Sequence, residues 1–320
     1  MHGVNLRAVL AGVRAANPLL IFASAGVATL TFPLRTLRWR VLLRAPDGGR
    51  YPWRPLWDAT AIGFMANNLL PARAGEFARA WVASRGLPVR FTTALASIGV
   101  ERVFDGLMML ALMAAAIAAP SFPSQAAVGG TPLSRIAAGV AIAFGAALLV
   151  AFVVALRPGP WLSLLDRIAG ALLPERLARK LRSVADGLVA GLAVLKSPAR
   201  FAGVLGWSLV LWLVNAAAFA LCFRAFHLAV PAEGALLLQG LIGFGVAIPA
   251  APGFWGVFEY ATRLTLQFYG IGATLALAYA FAFHLAGFIP ITLLGLDALT
   301  RAHLHLGDLR RAAPPPEPAP

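Results

Sequence analysis

The sequence predicts an all-α polytopic membrane protein, an inverted-topology repeat of spans with two Pro/Gly-broken re-entrant helical hairpins at matching places. Three observations lead there. Hydrophobic residues make up 60% of the 320-residue chain and charged residues 12%, with a mean hydropathy of +0.78; soluble domains carry about 25% charged residues. Uncharged runs such as 201–223 and 273–296 meet the roughly 20-residue requirement of a spanning helix. Finally, residues 63–79 (GFMANNLLPARAGEFAR) are echoed around 248–259 (IPAAPGFWGVFE). Gly-Phe stands ahead of each break (Gly63-Phe64, Gly243-Phe244), both copies contain Pro-x-x-x-Gly (Pro71 to Gly75, Pro249 to Gly253), and a glutamate follows each, Glu76 and Glu259. Paired Pro/Gly interruptions in two halves are a sequence-level pointer to a transporter-type site.

Taken in order, residues 1–16 are weakly amphipathic and carry Arg7 and Arg14. A first span is expected over 17–34. A basic run follows, Arg35, Arg38, Arg40, Arg44, Arg50 and Arg54, punctuated by Trp39, Trp53 and Trp57, as at a headgroup-level belt. The first broken segment covers 56–70 and 75–82, and basic loops at both its ends place its entry and exit on the cytoplasmic side. A second span is expected over 92–119. The uncharged connection 120–133 is placed outside, and 135–156 returns inward. Residues 157–200 are strongly basic, and Leu177, Leu181, Val184, Leu188, Leu192 and Leu195 step by three and four, which predicts an amphipathic helix on the cytoplasmic surface. The competing expectation is a helical hairpin packed on itself.

Residues 201–223 then go out. The second broken segment, 234–269, has nearly neutral ends and is placed as entering from outside, and 273–296 comes back in. The tail is basic over 301–311 and Pro-rich over 314–320. These loop charges make the two halves opposite in topology: a first repeat over 17–119, a linking span and amphipathic helix over 133–200, a second repeat over 201–298 and a cytoplasmic tail. A bacterial-type inner membrane is the expected location.

The formal net charge of +14 resembles a nucleic-acid signal, but it sits in loops, where Arg and Lys record orientation and anionic-lipid contact. Nucleic-acid binding is therefore not expected. A single cysteine, Cys222, excludes an intramolecular disulfide and a Cys-based zinc site. His303 and His305 are too sparse for a metal centre, so neither metal nor cofactor is expected.

Proline removes a donor and glycine permits positive φ. Pro71 with Gly75, and Pro249, Pro252 and Gly253, are therefore expected to make turns between helical halves. Such turns expose helix ends, of which an N-terminus favours an anion, and Asn67 and Asn68 add amides beside the first. Glu101 and Asp105 lie four apart on one helix face, deep in a span where an unpaired charge costs about 2.5–3.5 kcal/mol. They call for partners or a water-filled cavity. One possibility is a compact Glu101–Arg102–Asp105 clamp between helices. The other is a polar cavity lined by Arg73, Glu76, Arg79, Glu101, Arg102 and Asp105, with an arginine meeting a lipid phosphate and the carboxylates a cationic headgroup or a proton. In the second half, Glu259 and Arg263 have the spacing of an intrahelical pair. His284, among Phe281, Phe283 and Leu285, reads more readily as a satisfied core residue than as a proton site. Neither a P-loop, a Gly-x-Ser-x-Gly elbow nor a His-Glu-x-x-His motif occurs, so an enzyme is not expected.

Residues 35–43 (RTLRWRVLL), 67–80 (NNLLPARAGEFARA), 101–105 (ERVFD) and 249–259 (PAAPGFWGVFE) resemble, in order, the membrane family of the lysylphosphatidylglycerol synthase transmembrane region. Its members are often described as flippase-like. The similarity covers about 32–296. The resemblance implies movement of lipids or lipid-linked groups between leaflets, and it marks Asn67, Asn68, Pro71, Gly75, Glu76, Glu101, Arg102, Asp105, Pro249, Gly253 and Glu259 as positions to test. Members of this stand-alone size handle diverse substrates, including envelope lipids and isoprenoid carriers. Two departures are expected: a missing span before residue 17, and no soluble aminoacyl-transferase domain after the last span, hence no lysyl transfer. The expected partners are anionic phospholipid or isoprenoid-linked lipid, with an envelope-biosynthesis enzyme as a further partner. Two other readings are an accessory protein that binds anionic lipid and supports envelope lipid biosynthesis, and a transferase using Glu101 with Asp105 as its acid–base pair.

Overall fold

The computed structural model describes residues 6–45, 47–71, 73–123, 127–128, 130–192, 197–246 and 251–310. Pro249, Leu195 and the Pro-rich tail lie outside them. The described chain is helical: α1 (Leu6–Ala15), α2 (Pro18–Leu42), α3 (Trp53–Leu69), α4 (Ala74–Gly86), α5 (Phe91–Ala118), α6 (Leu133–Leu156), α7 (Pro158–Leu172), α8 (Glu175–Leu192), α9 (Pro198–Ala225), α10 (Ala232–Gly245), α11 (Val257–Phe268), α12 (Ala273–Arg301) and α13 (Leu306–Arg310). A two-residue antiparallel ladder pairs Ala127–Val128 with Thr131–Pro132 before α6. Among the described helices α2, α9 and α12 are long and apolar enough to cross a membrane. α5 is as long as α9, but carries Glu101, Arg102 and Asp105 near its middle.

Local chemistry sets the helix ends. The Asn17 side chain accepts from the backbone N–H groups of Leu19 and Leu20 at 3.0 and 3.2 Å, satisfying donors that open every helix. Pro18 follows at the first helical position, where its missing N–H costs nothing. The sequence reading ended this span at Leu34, but α2 continues to Leu42. The reason is that Arg35, Arg38 and Trp39 point into the protein and are buried, so the expected headgroup belt holds neither these arginines nor Trp39. Trp53 and Trp57 stack on each other at 6.1 Å.

The packing repeats itself. α2 packs against α9, and α3–α4 and α10–α11 are the two broken segments. α3 packs on α12 while α10 packs on α5; α4 packs on α5 while α11 packs on α12; α2 meets α3, α5 and α12 as α9 meets α10, α12 and α5. Exchanging α2–α5 with α9–α12 therefore maps this set of contacts onto itself. The crossed contacts between halves are close because small residues sit there. A Cβ on Gly295 of α12 would lie 2.3 Å from Met65 Cβ of α3, and one on Gly243 of α10 would lie 2.1 Å from Met109 Sδ of α5.

Outside this set, α1 packs on α12. α8 packs along α5 and against α6 and α7, and Arg182 of α8 pairs with Asp166 of α7. Leu177 and Leu181, the apolar-face residues of α8 whose side chains are described, remain exposed.

Candidate functional site

The first broken segment is closed by its own residues. The Asn67 Oδ1 accepts from the Gly75 N–H at 2.9 Å. A Cβ on Gly75 would lie 1.9 Å from the Gly63 carbonyl oxygen, so only glycine lets α3 and α4 approach here. The residue with left-handed backbone is Arg73 (φ 56°), just before α4. Gly75, expected to make the turn, is helical and serves the close approach instead. Asn68 looks the other way: its amide donates to the Phe288 carbonyl at 3.2 Å and to Thr292 Oγ1 at 2.9 Å, tying the break to α12.

Behind this break lies a buried charge cluster. Glu101 of α5 accepts from Arg79 of α4 at 2.5 Å and lies 3.6 Å from Arg38 Nε of α2. Asp105, one turn along α5, accepts from Arg38 Nη1 at 2.5 Å and from Trp212 Nε1 of α9 at 3.0 Å. Arg35 and Arg102 stand 3.6 and 3.5 Å from its other oxygen, and Arg38 also donates to Ser208 of α9 at 3.0 Å. At the margin, Glu76 lies 3.6 Å from Arg73 and 3.8 Å from Arg102. Arg79 lies over the Trp39 ring at 3.8 Å, and Trp39 Nε1 donates to Ser97 at 2.8 Å. Five guanidiniums therefore meet three carboxylates, an excess of two positive charges. Arg38 Nη2, Arg73 Nε and Arg79 Nε are buried without a hydrogen-bond partner, donors that a buried anion would satisfy.

A cavity of about 240 Å³ opens between the two halves. Arg35 and Phe32 of α2, Phe64 and Asn68 of α3, Asn215 of α9, Gly253 and Phe254 of the second break, and His284 and Phe288 of α12 line it. Arg35 lies between the Phe64 and Trp212 rings, at 5.2 and 5.0 Å, so the cavity has aromatic walls and one cation of the cluster at its edge. The second break has its own polar pair. Glu259 lies 2.5 Å from His284 Nδ1 and accepts from the Gly256 N–H at 2.6 Å, while His284 Nε2 meets the Gly253 carbonyl at 2.8 Å.

The model of the lysylphosphatidylglycerol synthase TM region matches residues 1–295. The chain belongs to that family. The region so defined takes in α1, all of the charge cluster and cavity, and nearly the whole of α12. A curated relative, glycosyltransferase AglD of Haloferax volcanii, is 28% identical over 270 residues, covering 77% of this chain and 43% of the relative. The chain thus spans less than half the length of the curated relative it matches. No solved structure matches it.

Within this member of the family, the structure brings together Arg73, Glu76, Arg79, Glu101, Arg102 and Asp105. They pair with one another and with Arg35 and Arg38, joining α2, α4 and α5 as a wider form of the expected clamp between helices, and none of the six is among the residues lining the 240 Å³ cavity. Sequence reasoning missed Arg35 and Arg38, which it counted as loop charge; their three-residue spacing, in phase with Trp39 and Leu42, was the available signal. Glu259 pairs with His284 and not with Arg263, which is half-buried on the next turn of α11. Gly253 (φ 66°) makes the expected turn with Pro252. Pro249 falls outside the described residues. Among those residues no group of acidic, His or Cys side chains is arranged to hold a metal.

Proposed function

We propose that the chain is a flippase-like transporter that moves an anionic phospholipid or lipid-linked phosphate headgroup between the leaflets of the cytoplasmic membrane. In this reading it performs no bond chemistry. The observation that carries it is the excess of positive charge in the cluster, which persists among its buried members (Arg35, Arg38 and Arg79 against Glu101 and Asp105) and reaches a cavity between the two breaks through Arg35. At an effective dielectric constant near 20, one phosphate charge about 4 Å from a guanidinium gains about 4 kcal/mol. That helps offset desolvation of the headgroup while its tails remain in lipid. Asn68 and Asn215 would supply neutral hydrogen-bonding groups, and Arg73 would meet the headgroup at the first break.

The exchange relation between α2–α5 and α9–α12 supports an inverted repeat with two re-entrant hairpins, since each break packs on the last helix of the other half. Arg54, Arg85 and Arg301 converge on one cleft at the end of α12, which supports a cytoplasmic C-terminus. A second reading is favoured by the relative named a glycosyltransferase: the chain acts as an accessory region that holds an anionic or isoprenoid-linked lipid for an envelope-biosynthesis enzyme.

Leaflet accessibility in liposomes separates the two. Labelled anionic, zwitterionic and isoprenoid-phosphate lipids are compared with and without purified protein. Faster crossing of the phosphate-bearing anionic class supports transport. Binding of that class without any acceleration supports the accessory reading and overturns transport.

A further inference from the structure

The second break holds a pair of ionisable groups that headgroup binding does not use, and its hydrogen bonds specify a proton. A backbone carbonyl only accepts, so His284 Nε2, 2.8 Å from the Gly253 oxygen, carries hydrogen. His284 Nδ1 then faces Glu259 Oε1 at 2.5 Å, a contact that needs a second proton between the two atoms. Either the imidazole is doubly protonated beside a carboxylate, or a neutral carboxyl donates to Nδ1. Both forms contain one proton more than neutral histidine with ionised glutamate. The surroundings suit the imidazolium form: Trp255 stacks on the ring at 4.2 Å and Phe258 lies at 4.5 Å, faces that attract a cation.

We propose that Glu259 and His284 form a one-proton site whose occupancy sets the 251–256 turn, so that movement through the cavity is linked to proton movement. This rests on the transport reading above. Loss of the proton breaks the N–H bond at Nδ1, or the O–H bond of Glu259 in the other form. The electron pair stays on that atom and the proton passes to water entering the cavity. What remains is one imidazole hydrogen facing two acceptors. If it stays on Nε2, a lone pair faces the carboxylate; if it moves to Nδ1, a lone pair faces the Gly253 carbonyl. One contact must open.

Gly253 and Phe254, at φ 66° and 62°, together with His284 form part of the cavity wall. Phe254 is strained there, since a side chain disfavours positive φ. Opening the Gly253 contact therefore moves the wall. The charged group that shares the cavity wall with His284 is Arg35 of α2, and the Arg73 guanidinium lies 6.0 Å over the ring of Phe254 in the same wall. Asn68 is contributed by α3, and Asn215 is hydrogen-bonded to Gln239 of α10. Arg263 follows on α11. The arginines keep their charge, so the exchangeable proton belongs to Glu259 and His284.

Glu259→Gln is the informative variant. Its amide can donate to Nδ1 while its carbonyl accepts from the Gly256 N–H, which reproduces the protonated geometry without an exchangeable proton. With ¹⁵N-histidine-labelled protein in micelles, and His284 assigned from the signals lost in a His284→Asn variant, wild type should show one titration step. Trp255 emission, taken as the difference from Trp255→Phe, should follow the same step. In Glu259→Gln that transition should be absent from the same pH range; its persistence there overturns the proton site.

Liposomes with an imposed gradient then test the linkage. A gradient of about one pH unit biases a one-proton-linked distribution by up to about tenfold. Wild type should respond to it, whereas Glu259→Gln should move anionic lipid equally with and without it. Crossing that ignores the gradient in wild type overturns the linkage and leaves transport standing. If no lipid crosses, the transport reading and the linkage fail together, and the histidine titration alone decides the proton site.

Discussion

Replacing Arg38 with glutamine removes the cation that touches both carboxylates of α5. Arg38 is fully buried, with Nη1 2.5 Å from Asp105 and Nε 3.6 Å from Glu101. Truncating one partner of a buried ion pair costs about 3–5 kcal/mol, because the other charge is left uncompensated. The remaining partners reduce this. Asp105 keeps Arg35, Arg102 and the Trp212 N–H, and Glu101 keeps Arg79. The lower end, about 3 kcal/mol, is expected for Arg38→Gln, roughly a hundredfold in the folded-to-unfolded ratio. Arg35→Gln is the control, three residues away on the same helix. Its guanidinium is 3.6 Å from Asp105 and otherwise rests on two aromatic rings, so its loss should cost about 1 kcal/mol. Unfolding in mixed SDS–detergent micelles, followed by tryptophan emission and helicity, measures both. Equal losses for the two variants, or a loss below about 1 kcal/mol for Arg38→Gln, would refute the division between a structural and a cavity-facing arginine.

Gly75→Ala should lose at least about 3 kcal/mol, at or beyond the upper end of ordinary overpacking, because its methyl group meets the Gly63 carbonyl; recovery of folded protein after detergent extraction reports this. Trp39→Phe deletes the hydrogen bond to Ser97 and weakens the contact with Arg79, which should cost about 1–2 kcal/mol in the same SDS titration. Cysteines placed beside Gly130 and Gly270 should label from outside and one at Lys180 from the cytoplasm, with Cys222 buried. Cytoplasmic labelling beside Gly130 would reject the inverted topology.

The sequence displayed the two breaks because proline and glycine interrupt a hydrophobic run visibly, and Glu101 and Asp105 stood out because charge within a span needs a partner. It hid the partners. Arg38 lies 67 residues from Asp105 and Arg35 lies still further from it along the chain, and a charge tally treats them like Arg44 or Arg50 in the following loop. Only helical phase, continued past Leu34, distinguishes them. Glu259 was drawn to Arg263 by local spacing, whereas the pairing with His284 depends on how α11 packs on α12, 25 residues away. Gly75 was recognised but for the wrong reason: composition marks a glycine, and only the 1.9 Å approach to Gly63 separates close packing from a turn. The crossed contacts of α3 with α12 and α10 with α5 follow from small residues whose partners no local pattern names.

The most direct test of transport through the cavity is the rate at which a labelled anionic phospholipid crosses liposomes containing wild type, Arg35→Lys or Arg35→Gln, at matched folded protein. A cation at the cavity edge as the headgroup contact predicts acceleration by wild type, partial retention in Arg35→Lys and loss in Arg35→Gln, with little effect on a zwitterionic control. Equal crossing by wild type and folded Arg35→Gln would contradict it.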